Sequence, residues 1–220
     1  MPLLLLPILV EAHNVSQSNA SFVEGINGPA VAAFLYLGAK HMTTGYDHLL
    51  YLVGVVFFLY RGRDILLYVT LFTIGHSITL LAGVLGGLTV NAFVIDAIIG
   101  LSIVYKAFEN MGGFERLFGF RPDMRAAVLV FGLFHGLGLA TKLQALALSE
   151  DGLVTNMLSF NVGVELGQIL ALVMVLLVLL RWRRSASFQR HAFAANTALM
   201  SGGFLLAGYH LTGYLVTPCC

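Results

Sequence analysis

Long apolar runs, each closed by a short polar loop, make up the chain from Gly45 onward. A helix needs about 20 consecutive, mostly apolar residues to span a bilayer. By that measure the pattern predicts six spans: Gly45–Tyr60, Asp64–Leu85, Val90–Asn110, Met124–Leu146, Leu153–Leu180 and His191–Val216. Upstream, Pro29 to Ala39 is apolar and helix-competent but long enough only for a half-span or an interfacial helix. Asn14 to Asn27 is polar and rich in Ser and Asn, as a short external segment would be. Met1 to Val10 is apolar and too short to span. With the small residues of Val10-Glu11-Ala12 after it, it resembles the apolar part and cleavage site of a secretory signal, although the basic flank is missing. The expected organisation is a signal peptide over 1–12, an external segment with a half-helix over 13–39, and an all-α polytopic membrane bundle over 40–220.

Composition identifies the solvent. Of the 220 residues, 58% are hydrophobic and 10% charged, against about 25% charged in a soluble domain. The chain is therefore expected to be an integral membrane protein. A net charge of +1 gives no footprint for nucleic acid. Where the charges fall is more telling. Arg61 and Arg63 follow the first span, Arg116 and Arg121 follow the third with Arg125 opening the fourth, and Arg181, Arg183, Arg184 and Arg190 follow the fifth. The loop after the second span has no basic residue, and the loop after the fourth carries Glu150 and Asp151, with Lys142 at the span's end. Basic loops stay on the cytoplasmic side. Both termini are then external in the bacterial inner membrane, with Lys40 as the exception to the charge rule.

Polar groups inside the spans carry the candidate chemistry, because ionisable side chains in hydrocarbon are costly unless paired, hydrated or bound. The stretch His41-Met42-Thr43-Thr44-Gly45-Tyr46-Asp47-His48 stands where the first span begins and reads as the mouth of a metal pathway. If helical, it puts His41 and His48 on one face; a bend at Gly45 that turns His41 back toward Asp47 and His48 fits equally well. The alternative is an interfacial cap in which Asp47 accepts backbone N–H bonds. By depth, Asp47, His48, Asp96 and His210 form an outer layer, His76, His135 and Glu165 a central one, and Lys106, Glu109 and Asn110 lie toward the cytoplasm. Thr73, His76 and Ser77 share a helical stripe, as do Asn161, Glu165 and Gln168. Gly132, Gly136 and Gly138 remove bulk around His135. Interhelical hydrogen bonds of about 1 kcal/mol or less account for Thr73, Ser77 and Gln168 singly. Glu165 at mid-membrane needs a counter-charge, a proton or a cation.

The candidate metal residues are thus His41, Asp47, His48, His76, Asp96, His135 and Glu165, with Glu109, Asn110, Asn161, Gln168 and His210 supporting the path. Cys219 and Cys220 end the chain and are poorly placed for a buried thiolate site, so an internal site uses nitrogen and oxygen ligands. Cleavage after Ala12 would add His13 and its amine as a further chelating pair. A faint internal echo, Phe72-Thr73-Ile74-Gly75 against Phe160-Asn161-Val162-Gly163, falls in spans that run oppositely, as inverted repeats do.

Five blocks, in order, carry a resemblance: Gly45-Tyr46-Asp47-His48-Leu49-Leu50, Phe72 to Leu80, Leu101-Ser102-Ile103-Val104-Tyr105 running to Glu109-Asn110, Phe131 to Ala140, and Phe160 to Gln168. Over about Lys40 to Gln168 the chain resembles the HupE/UreJ family, membrane proteins associated with hydrogenase and urease maturation and regarded as nickel, in some cases cobalt, permeases. By that resemblance His41, Asp47 and His48 match the first-span metal motif, and His76, His135 and Glu165 match later polar blocks. Asp96 stands where relatives are expected to carry Glu. The resemblance implies a transporter rather than an enzyme, with a divalent metal ion as cargo, no organic cofactor, and a functional link to hydrogenase or urease maturation. No P-loop is present to power transport by ATP, which leaves a facilitative or proton-coupled permease. Two other readings use the same residues: a membrane zinc hydrolase built from Asp47, His48, His76 and His135, and a haem-binding electron carrier with His76 and His135 as axial ligands.

Overall fold

The computed structural model describes residues 22–146 and 148–217. The expected signal peptide, His13, Cys219 and Cys220 lie outside the described residues. The described chain is all-helical, in the order α1 (Val31–Thr44), α2 (Tyr46–Val56), α3 (Gly62–Gly86), α4 (Ala92–Asn110), α5 (Gly113–Phe118), α6 (Met124–Gln144), α7 (Leu153–Arg183) and α8 (Ala186–Val216). By length and composition α3, α6 and α7 are long and apolar enough to cross a membrane. At about 1.5 Å per residue, the 31 residues of α7 exceed the hydrocarbon thickness of a bilayer.

The first span differs from its expected form. Gly45 does not open a separate span after an external half-helix; it breaks one continuous track. Its backbone is extended (φ −70°, ψ 106°), so α1 stops and α2 starts afresh one residue later. The Thr43 and Thr44 hydroxyls bond back to the carbonyls of Ala39 and Lys40 and occupy the end of α1. The two half-helices follow α7 from one end to the other. At the start, Asn156 accepts from the Ala30 N–H at 2.7 Å and donates to the Gly28 carbonyl at 3.1 Å. At the far end, the Arg183 guanidinium donates to the carbonyls of Val56, Phe57 and Leu59 and lies 4.7 Å over the Tyr60 ring. Arg183 thus caps the carbonyls at the end of α2, adding to the turn bond that Val56 already accepts from the Leu59 N–H.

Three tight helix pairs form the body: α1 on α7, α3 on α6 and α4 on α8. Lipid tails supply no hydrophobic drive between helices, so close approach of backbones at small residues does the holding. The contacts repeat. Gly38 lies against the Phe160 carbonyl as Gly132 lies against that of Phe72, and Gly163 lies against the Leu35 carbonyl as Gly75 lies against that of Leu129. In the third pair Gly100 meets Gly203 and Ala207, while Gly203 meets Gly100 and Val104. Asn110 reaches Asn196 as Gly213 approaches Phe93. The pairs α1/α7 and α3/α6 run parallel and α4/α8 antiparallel, which is how two inverted copies of one unit, α1–α4 and α6–α8, pack about a pseudo-two-fold axis. The echo between Phe72–Gly75 and Phe160–Gly163 belongs to this repeat, and so does a second one, Gly38-Ala39-Lys40-His41 against Gly132-Leu133-Phe134-His135.

Candidate metal centre

The break at Gly45 brings the chemistry to mid-length of the bundle. His41 lies in the last turn of α1 and Asp47 in the first turn of α2, each where the helix dipole favours its charge. His76 comes from the middle of α3 and His135 from the middle of α6. His48 is the hub, with ring centroids 4.9 Å from His41, 4.8 Å from His135 and 5.8 Å from His76. Ligating atoms of His41, His48 and His76 lie within 4.8 Å of one another, as do those of Asp47, His48 and His135. His41 and His135 hold equivalent places in the two repeats and flank His48 at nearly the same distance.

Neighbouring groups orient the rings. Asp47 Oδ1 lies 3.0 Å from His48 Nδ1 and takes its proton as a hydrogen bond, which leaves Nε2 as the ligating nitrogen. The Ser102 hydroxyl donates to the Ile99 carbonyl at 2.7 Å, so toward His135 Nε2, 3.3 Å away, it acts as acceptor, and Nδ1 becomes that ring's ligating nitrogen. His76 is fully buried, and neither of its ring nitrogens has a hydrogen-bond partner among the described residues. An imidazole buried in that way is costly, and a bound cation would satisfy it. Phe72, 5.0 Å from His135, Tyr51, 5.3 Å from His135, and Phe160, 6.2 Å from His41, wall the cluster. The donor set is nitrogen and oxygen only, and it suits a divalent first-row ion.

A family model described as "HupE / UreJ protein" matches residues 17–218. The chain belongs to the HupE/UreJ family. That membership suggests a nickel or cobalt accessory or permease role, in a membrane-associated family not known for enzymes. No curated protein and no solved structure matches the chain.

This HupE/UreJ protein draws together five of the residues singled out from sequence: His41, Asp47, His48, His76 and His135. The outer and central layers expected for them are one layer here, because α1 carries the chain half-way along the bundle before the break. Two others belong to neither donor group. Asp96 is buried against Lys142, whose ammonium lies 2.8 Å from its carboxylate, with His210 Nδ1 3.7 Å away. That carboxylate has its counter-charge in Lys142, and with His210 beside it the group joins α4, α6 and α8. Glu165, expected on the inner seam, is exposed on the outward face of α7 beside Val162, Leu166 and Ile169. The reason is α1: it covers the side of α7 bearing Gly163 and Gly167, which turns Asn161 and Gln168 inward and Glu165 out. Gln168 accepts from Thr73 at 2.5 Å and donates to the Val69 carbonyl, a cross-link between α7 and α3. Glu109 pairs with Lys106 at 2.5 Å, and Asn110 donates to the Gly54 carbonyl and to Asn196.

Ser102 and Lys142 escaped the sequence reading as functional partners, and Lys106 was placed beside Glu109 and Asn110 toward the cytoplasm without a role of its own. For Ser102 a signal existed, since it lies in one of the family blocks. For Lys142 there was none, because its carboxylate is identified only by the packing, whereas Glu109 stands one helical turn from Lys106 and the spacing alone offers that pair. The packing also bears on the other two chemical readings. The backbones of α3 and α6 touch at Gly75, Gly132 and Gly136, so a porphyrin has no slot between His76 and His135. The void beside His48 measures about 10 Å³. That void has room for at most about one water.

Proposed function

We propose that the chain is a permease that carries a divalent transition-metal cation, nickel first and cobalt next, inward across the bacterial inner membrane. One observation carries the reading: five ligating side chains from α1, α2, α3 and α6 converge at a helix break half-way along the bundle. Transporters commonly bind their ion at such discontinuous helices, where the carboxyl end of a half-helix favours a cation. In this reading α1 with α2 makes one crossing, and α3, α4, α6, α7 and α8 make the other five. The arginine-rich loops are cytoplasmic and both termini external. Asp47 compensates the cation's charge and holds His48 in register, while His41, His76 and His135 replace its water. Only neutral imidazole ligates, so loading releases any proton the rings carry. The nitrogen and oxygen donor set admits several first-row ions, and the preference for nickel rests on the family. The cation delivered inside would serve hydrogenase or urease maturation.

Uptake into proteoliposomes tests this. Nickel should accumulate fastest, cobalt next, with zinc and copper behind. Equal rates for protein-free and protein-containing vesicles with every ion would refute the permease reading.

A further inference from the structure

A cavity of about 260 Å³ opens at the end of the bundle where α2 and α4 finish and α3 and α6 begin, lined by Lys106, Glu109 and Asn110 together with Val55, Tyr68 and Val128. The void beside His48 is lined by the same Val55, Tyr68 and Val128. The cavity therefore adjoins the metal centre across a neck of three side chains. Holding so little open volume, that neck is closed to a hydrated ion. On the arginine-loop assignment it is the cytoplasmic side.

Lys106 is out of place for a mere structural strut. Its side chain is 9% exposed, and its stem crosses α2 at Gly54, where an added Cβ would lie 3.2 Å from Lys106 Cγ. A buried ammonium is costly unless paired, and this one meets Glu109, itself 29% exposed, at the cavity. By the correspondence of Gly100 with Gly203, the places of Lys106 and Asn110 are taken in the other repeat by Tyr209 and Gly213. The pair is thus not part of the scaffold that the two repeats share.

We propose that this cavity is a second cation site, with the Glu109 carboxylate as its charged ligand, the Asn110 and Tyr68 oxygens as neutral ones, and Lys106 as a tethered competitor. A divalent ion leaving the histidine centre displaces the ammonium from Glu109, and return of the ammonium expels the ion. The empty cavity holds a neutral ammonium–carboxylate pair, whereas the occupied one carries the uncompensated charge of the ion, which makes the site transient by construction. This inference rests on the permease reading.

Equilibrium dialysis of the purified full chain against nickel chloride, with metal counted by mass spectrometry, separates the two claims. The parental protein should bind nickel in one step, at the histidine centre. Lys106→Met should add a second, weaker step and slow proteoliposome uptake, and Lys106→Met with Glu109→Gln should lose the second step again. Lys106→Gln, which keeps a hydrogen-bonding head beside Glu109, serves if the methionine variant does not fold. A single step of parental affinity in a folded Lys106 variant, with uptake unchanged, would overturn the second site and leave the permease standing. A parental protein that binds no nickel would instead bring down the permease reading and this inference with it.

Discussion

Alanine at His48 should lower nickel affinity by more than about 100-fold and abolish uptake, while the protein still inserts and purifies normally. His48 belongs to both donor groups, so its loss leaves neither with three ligands. Changes to groups that only orient a ligand already cost about 10–100-fold in metal affinity. Substituting His41 or His135 leaves one donor group complete in each case, so each single variant should bind more tightly than His48→Ala. Asp47→Asn keeps the size of the side chain and removes its charge, and by that logic should fall between them. Isothermal titration with nickel reads the ranking directly, and equal losses for all three histidines would show that His48 is not the hub.

The second large effect concerns folding. Gly136→Val should remove most of the protein from the membrane fraction, at a cost of about 3 kcal/mol or more. A Cβ there would collide with the His76 carbonyl and lie 2.5 Å from the Thr79 hydroxyl. Thr79 at present donates to the Leu133 carbonyl at 2.7 Å. The helices α3 and α6 would have to part, and His76 and His135 with them. Gly202→Val is the matched control, because nothing lies within 4 Å of an added Cβ at that position. Expression measured by membrane immunoblot should drop for the first and hold for the second.

Much of this was legible in the chain because a bilayer constrains sequence harshly. Runs such as Leu153 to Leu180 have few structures open to them, so the helical class and the blocks that became α3, α6 and α7 followed from length and apolarity alone. The His41–His48 stretch was legible as chemistry, and a bend at Gly45 was one of its two stated conformations. Its depth was not legible. A run of eleven apolar residues is compatible with a surface helix as well as with a helix packed along the bundle, and only the packing of Gly38 and Gly163 against α7 and α1 shows that α1 lies along the bundle. Glu165 failed for a related reason. Periodicity placed it on a stripe with Asn161 and Gln168, but a stripe has edges, and which edge faces inward depends on where the partner helix sits. Arg183, Lys142 and Lys106 act on residues far along the chain or on groups whose burial periodicity does not reveal, so loop charge was all that the sequence could say of Arg183.

The claim on which the account depends is that the histidine cluster at the break binds the cation. Nickel K-edge X-ray absorption on the purified, nickel-loaded protein tests it most directly. The account predicts a first shell dominated by nitrogen and oxygen, with the outer-shell multiple scattering of at least three imidazoles, and loss of that imidazole signal in His48→Ala. A spectrum of fully hydrated nickel, or an imidazole signal that survives unchanged in His48→Ala, would contradict it.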